Sequence, residues 1–356
     1  MKIRLFAFFA FAAASSVGLL AADVHVRVDP SAAHAVPGQE NQVTFPTIVN
    51  ALDHHPFATP NPDGTPGRVY IEIVPGTYHE RVIVTQNHTN ITLVGLGKSP
   101  SEVVITNSLN AKQAGGTFFT QTMEINGTGF EADNLTVENT AGNTGQAVAV
   151  ANRSDRSIFK NCRLLGHQDT LFADFGRQYY VNTYIEGGVD YIFGNAAAVF
   201  DHNTLNSNGP GFITAHSRTS ADQTTGYVII NSKVTASFDT GAPPMDPATP
   251  GAASTASAHR MIGLGRPWRA YGRAVFIKTE LPAEVNPLGW DHWGNPANEK
   301  TAWYAESENT GPGADTSKRV PWAHQITPEE AKQFYPAVFL RGSDSWNPEA
   351  EAAKLP

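Results

Sequence analysis

Cysteine is all but missing from this chain of 356 residues. Cys162 stands alone, which excludes an internal disulfide and any metal site built from several thiolates; it reads as a small buried apolar side chain. Charge is sparse as well. Charged residues make up 16% of the chain, the formal net charge is -8, and Lys and Arg form no cluster. That excludes a nucleic-acid surface, which needs cations to displace counterions from phosphates. An acidic chain also disfavours a polyanionic ligand unless the ligand's own charge is masked. Familiar catalytic signatures are absent too. No Gly-x-Ser-x-Gly elbow occurs. Gly95-Leu96-Gly97-Lys98-Ser99 falls short of a phosphate loop because Thr92 stands where its first glycine belongs, and His79-Glu80 has no second histidine to complete a zinc-protease helix. The 12 histidines are scattered, so neither a metal nor a cofactor is implied.

Long apolar runs are also lacking. Lys2 and Arg4 precede an apolar stretch from Leu5 to Ala14, then small residues to Ala22. A membrane-spanning helix needs about 20 apolar residues, and Ser15, Ser16 and Gly18 interrupt this stretch. Residues 1–22 therefore read as a secretory signal peptide and 23–356 as a single domain. The expected location is secreted or extracellular, periplasmic in a Gram-negative host, with no membrane attachment once the leader is removed. What is abundant is Gly and Pro, 31 and 24 residues, beside a 41% hydrophobic fraction. That balance suits a turn-rich all-β protein.

A repeat runs through the middle of the chain. Thr136–Thr140, Ile158–Cys162, Tyr180–Thr183, Phe200–Thr204 and Val228–Ser232 are each a short β-prone run ending in Asn and a small residue. Asn139, Asn161, Asn182, Asn203 and Asn231 are separated by 22, 21, 21 and 28 residues. A period near 21 is too short for most helical repeats and suits one coil of a parallel β-helix. Asn at a repeated turn can tolerate a left-handed backbone and bond to the amide of the next coil. Val69–Val74, Val82–Val84, Ile91–Val94 and Val103–Ile105 read as earlier coils, and β-prone sequence resumes at Ala274–Ile277 after a Gly- and Pro-rich surface loop from Asp239 to His259. The expected fold is all-β, a parallel β-helix with long surface loops. Thr327–Phe334, with a capping Thr and Pro in the first turn, predicts a short C-terminal helix.

The period also tests which polar residues can meet. Asp169 and Asp190 are 21 residues apart, and Gln146 and Gln168 are 22 apart, so two carboxylates and two amides converge on one patch. Two close carboxylates cannot both ionise easily; one holds its proton and the other stays an anion. The pair suits ester hydrolysis: the anion attacks the carbonyl, amide N–H groups stabilise the oxyanion, and the protonated acid serves the leaving group. Asp and Gln at solenoid turns are also common hydrogen-bonding caps, so spacing alone leaves both readings open.

Motifs in order along the chain add to this. Gly76-Thr77-Tyr78-His79-Glu80, Asn139-Thr140-Ala141-Gly142, Gln146-Ala147-Val148-Ala149, Gln168-Asp169-Thr170-Leu171, Asp190-Tyr191-Ile192-Phe193-Gly194-Asn195 and Leu264-Gly265-Arg266-Pro267-Trp268 together resemble the signature set of the pectin methylesterase (pectinesterase) family, as does Asn309–Ala314 near the C-terminus. The resemblance spans roughly residues 40–340. It implies a right-handed parallel β-helix with Asp190 as nucleophile, Asp169 as acid and then base, and Gln168 with Gln146 around the oxyanion. It further implies that Arg266 pairs with the nucleophile, that Trp268, Thr117 and Gln146 contact substrate, and that the partner is methylesterified pectin (homogalacturonan) bound by a monomer. Esterified pectin meets the masked-charge condition, since each ester removes one negative charge. His167 and Tyr191 depart from the family pattern, which usually carries Tyr and Phe there, and both are expected to alter groove polarity.

Rival readings are a β-helix lyase or glycosidase, a thioesterase or general carboxylesterase on the same fold, and a noncatalytic carbohydrate-binding solenoid. A lyase needs Ca²⁺ and a basic proton acceptor, and a glycosidase needs acids flanking a glycosidic bond. The paired glutamines favour acyl chemistry, and the Asp-Asp-Gln-Gln-Arg set argues against a purely structural solenoid.

Overall fold

A computed structural model describes residues 23–32, 43–55, 58–62, 64–238 and 261–356. The leader at 1–22 and the Asp239–His259 loop lie outside the described residues.

Short β-branched runs form strands, and each turn in the middle of the chain adds one strand to each of three parallel sheets. Arg163–Leu165, Leu171–Ala173 and Arg177–Val181 make one coil, and Tyr184–Gly187, Ile192–Gly194 and Ala197–Asp201 stack on it in register. We call the twelve-stranded sheet the long sheet, the seven-stranded sheet from Gly76–Tyr78 to Lys233–Ala236 the middle sheet, and the seven-stranded sheet from Val82–Val84 to Gly263–Pro267 the groove sheet. The whole is a parallel β-helix.

Stacking in register sets like on like inside the coil. Phe159, Tyr180 and Phe200 occupy one column of the long sheet, with ring centroids 5.2 and 4.8 Å apart and near-parallel planes. These spacings match the roughly 4.8 Å separation of strands, so one residue per coil yields a continuous aromatic stack. Cys162 belongs to the same interior. Its Sγ lies 3.5 Å from the Ala132 carbonyl, and burial pushes its thiol up to about 12.

The asparagine column is where the sequence reading needs correction. Residues with positive φ at the bend after the long sheet are Asn134, Asn161, Asn182, His202, Asn231, Lys278 and Glu308, at 55, 51, 50, 53, 49, 48 and 53°. Asn139 lies instead in the middle-sheet strand Thr136–Asn139, and His202 rather than Asn203 takes the left-handed place. The expected amide ladder is not what forms. Asn161 and Asn231 donate to the carboxylates of Asp133 and Asp201, at 3.1 and 2.9 Å. The ladder runs one residue later, where each coil's backbone N–H donates to the next coil's side chain: Cys162 to Thr183 Oγ1, Thr183 to Asn203 Oδ1, Asn203 to Ser232 Oγ. These bonds satisfy backbone donors that a buried bend would otherwise strand.

At the C-terminus Thr327 caps helix Pro328–Ala331 through a capping box with Glu330, and a tighter turn, Lys332–Phe334, continues it. Two further short helices follow, Pro336–Phe339 and Pro348–Ala352. Together they lay Phe334, Leu340 and Leu355 over the outer face of the long sheet, on Ile158, Tyr179, Val199, Val228 and Val275. On the groove sheet, Val148, Ala151, Phe172, Phe193 and Ala215 form a separate buried cluster against which Trp268 and Trp293 pack.

Candidate active site

The bend between the middle and groove sheets carries Asp169 and Asp190, both left-handed, with φ of 65 and 47°. Gln146 pairs with Gln168, and Gln168 with Val189, as parallel bridges, while the Asp169 N–H donates to the Val189 carbonyl at 3.0 Å. Asp169 and Asp190 therefore occupy neighbouring rungs, about one strand spacing of 4.8 Å apart along the axis. A residue forced into the left-handed region at a bend cannot follow the inward and outward alternation of the strands. Its side chain is free to lean over the rim of the next sheet.

The two carboxyls, both largely buried, differ in their partners. Asp190 receives a two-pronged contact from Arg266, Nε to Oδ1 at 2.9 Å and Nη2 to Oδ2 at 2.6 Å. That guanidinium is 3% exposed and lies 3.9 Å from the Trp293 ring centroid and 4.7 Å from that of Phe212. A planar cation held between aromatic faces presents one fixed fork to the carboxylate. Among the described residues, no cation is bonded to Asp169. Burial pushes its carboxyl well above the ordinary aspartate range, the Asp190 carboxylate adds to the rise, and Arg266 only partly opposes it. One carboxyl is thus bridged to a buried guanidinium, and its neighbour is biased toward the proton-bearing form.

The remaining expected residues border the same face. Gln146 and Gln168 are half-buried beside the pair. Thr117 opens a short turn, Thr117–Phe119, anchored by the Ala111 N–H to the Gln146 carbonyl at 2.8 Å and by the Val148 N–H to Thr120 Oγ1 at 2.9 Å. Trp268 meets Phe193 edge-on at 5.8 Å, and the Arg269 guanidinium lies 4.7 Å from its ring centroid. His167 is half-buried at the lip; burial lowers its imidazole pKa, and its Nδ1 has no hydrogen-bond partner among the described residues. Tyr191 does not touch the groove: it is fully buried in the interior, its hydroxyl 3.3 Å from Ser207 Oγ, so its departure from the family pattern leaves groove polarity unchanged.

Sequence reasoning missed the floor. Phe118, Phe172, Phe193 and Trp268 form a continuous row, with centroids 4.9, 4.7 and 5.8 Å apart. Phe172 and Phe193 each follow an aspartate of the pair by three residues, so the same 21-residue period could have found them. Trp293 carries no such signal.

A carboxylate clamped by arginine, beside a second carboxyl biased toward its protonated form and a row of aromatic rings, suits ester hydrolysis. The family model described as Pectinesterase matches residues 34–343, and the chain belongs to the pectinesterase family. It is 35% identical over 313 residues to pectinesterase 31 of Arabidopsis thaliana, covering 85% of this chain and 90% of that one. Pectinesterase 1 of Citrus sinensis is 37% identical over 328 residues; the match covers 90% of this chain and spans about half of the longer relative, 52%. The structure of the carrot pectin methylesterase superposes with a TM-score of 0.76 at 32% identity, covering 91% of this chain and 98% of that one. The fold is accordingly the right-handed parallel β-helix of these enzymes, and the chain is a carboxylic ester hydrolase that demethylesterifies pectin.

Proposed function

We propose that Asp190 is the nucleophile of this reaction and Asp169 its acid and then base. The Asp190 carboxylate attacks the methyl ester carbonyl of a galacturonate unit in homogalacturonan, and the side-chain N–H groups of Gln168 and Gln146 donate to the oxyanion. As the tetrahedral intermediate collapses, the carbon–methoxide bond breaks and Asp169 gives its proton to the departing oxygen, releasing methanol. Asp169, now an anion, takes a proton from water; the hydroxide attacks the acyl carbon, and Asp190 leaves as a carboxylate. Arg266 holds Asp190 aimed through its two-pronged contact. Thr117, Trp268 and the phenylalanine floor hold the neighbouring sugar rings.

The observation that carries this assignment is the unequal treatment of the two carboxyls, one bidentate to a buried arginine and one raised by burial beside it. The test uses an ester with a chromogenic leaving group that needs no protonation. Asp169→Asn should retain a pre-steady-state burst of leaving group, since acylation no longer needs the acid. Asp190→Asn should show no burst, and its methanol release from pectin should fall by roughly 10³-fold or more. A burst surviving in Asp190→Asn would show that the nucleophile lies elsewhere. The same reading takes residues 23–356 as one catalytic domain, exported behind the 1–22 leader and acting as a monomer; among the described residues no helix is long and apolar enough to cross a membrane.

A further inference from the structure

The C-terminal helices cover the long sheet from Ile158 onward. At the edge of that cover, toward the N-terminal coils, lies a cavity of about 580 Å³, a size usual for small-ligand sites. It belongs to a different sheet from the catalytic bend. Its floor is one column of the long sheet, in which Tyr70, Thr92, Glu131 and Ile158 stand in register. One wall is the entry to that sheet, where Arg68, Asn90, Gly129 and Arg156 share a register position on four successive rungs. Trp346, Glu351 and Lys354 of the C-terminal segment also line it.

Three polar groups of this lining are left unsatisfied by the protein. Both contacts of Glu131, from Thr92 Oγ1 at 2.9 Å and from Arg68 Nη1 at 3.0 Å, fall on Oε2, so Oε1 has no hydrogen bond among the described residues. Arg156 comes no nearer than 3.6 Å to Asp344 and 3.8 Å to Asp155, too far to donate to either, and its side chain is 42% exposed. Tyr70 stacks on His25 at 4.6 Å, yet its hydroxyl bonds nothing among the described residues. Arg156 is also left-handed, with φ of 56°, where the two preceding rungs carry Asn90 and Gly129 at 54 and 73°. Asparagine and glycine take that conformation readily and arginine does not, so this rung accepts strain to bring a guanidinium to the cavity.

We propose that this cavity is a second carbohydrate site, remote from the catalytic bend, that takes an uncharged sugar unit. Sugar hydroxyls both donate and accept, which matches a free guanidinium, a free carboxyl oxygen and a phenol. Burial raises the Glu131 carboxyl and Arg68 opposes the rise; a hydroxyl can bond either form. Tyr70 and Trp346 supply apolar surface for the C–H face of a ring. The formal charges of the described lining cancel, with Arg68, Arg156 and Lys354 set against Asp23, Glu131 and Glu351. An ionised ligand therefore meets no excess of opposite charge. The site is independent of the roles given to Asp169 and Asp190.

The test titrates galactobiose, arabinobiose and cellobiose, with digalacturonate as the charged counterpart, into the full chain by calorimetry. At least one neutral disaccharide should bind saturably. Arg156→Gly, which installs the residue of the preceding rung and suits its backbone, should weaken that binding about tenfold. Tyr70→Leu should weaken it as well, and if that variant fails to fold Arg156→Gly carries the test. Trp268→Ala in the groove should leave neutral-sugar binding unchanged, while methanol release from a short esterified oligogalacturonide should be unchanged in Arg156→Gly. Three results overturn the proposal: no saturable binding of any neutral disaccharide, binding that survives Arg156→Gly but falls in Trp268→Ala, or tighter binding of digalacturonate that Arg156→Gly removes.

Discussion

Asp169 and Asp190 hold equivalent places on consecutive coils, yet their surroundings push Asp169 toward its protonated form and give Asp190 an arginine partner. The difference lies in one contact, the Arg266 fork on Asp190. Asp169 bears the cost: burial and the neighbouring carboxylate push it up, so the folded state favours its protonated form. Its contribution to stability is whole below the ordinary aspartate value of 3.8 and is lost as pH climbs through the raised one. Asparagine cannot ionise. Asp169→Asn should therefore melt higher than wild type at neutral pH, by on the order of a few degrees, and the gap should close as the solution is acidified. Thermal melts across pH read this directly, and a gap that widens on acidification would contradict the assignment. Asparagine's tolerance of the left-handed backbone adds a pH-independent part, which the same series separates.

At the scale of the element, the bends rather than the strands carry the special geometry. From strand Glu131–Asp133 onward, coils leave the long sheet through one left-handed residue, and at Asn231 its side chain also bonds Asp201. Both Asn231→Ala and Asn231→Gly lose that bond, but only alanine pays the steric penalty of a Cβ at φ of 49°. Alanine should therefore be less stable than glycine here by about 1 kcal/mol, seen as a lower urea midpoint at equal slope. Equal midpoints would mean that the bend relaxes out of the left-handed region. The same logic explains why His202 is accepted in this column: the position selects a backbone conformation, and an exposed imidazole is tolerated in it.

Across the whole molecule, the two open faces of the solenoid are treated differently. The C-terminal helices cover the long sheet, where Arg273 lies 5.2, 5.0 and 5.7 Å from the rings of Trp303, Phe334 and Phe339, and burial lowers its guanidinium to about 10. The groove sheet instead carries Phe172, Phe193 and Ala215, with Trp268 and Trp293 packed against them. Deleting residues 327–356 should uncover Ile158, Tyr179, Val199 and Val228, an apolar strip suited to self-association. Size-exclusion chromatography should then show oligomers, and melting should fall, while soluble protein keeps some methanol release because the catalytic bend belongs to other sheets. A truncated protein that stays monodisperse with unchanged melting would refute the covering role.

By itself the sequence determined the stack. A period near 21 residues sets coil on coil, so it was enough to bring Asp169 to Asp190 and Gln146 to Gln168, and to group the β-prone runs into one solenoid. Local chemistry likewise determined the Thr327 cap, because capping needs only residues three apart. What a one-dimensional period cannot state is which way a side chain faces at a bend, or what returns from a distant coil. Asp190 turns out over the groove while adjacent Tyr191 turns into the core, and Asn203 serves the ladder where His202 makes the turn. Arg266 reaches Asp190 across 76 residues, and Trp293 arrives from a loop beyond the strands to hold it. Those placements depend on closure of the coil in three dimensions, since burial and contact, rather than spacing along the chain, decide which carboxyl keeps its proton.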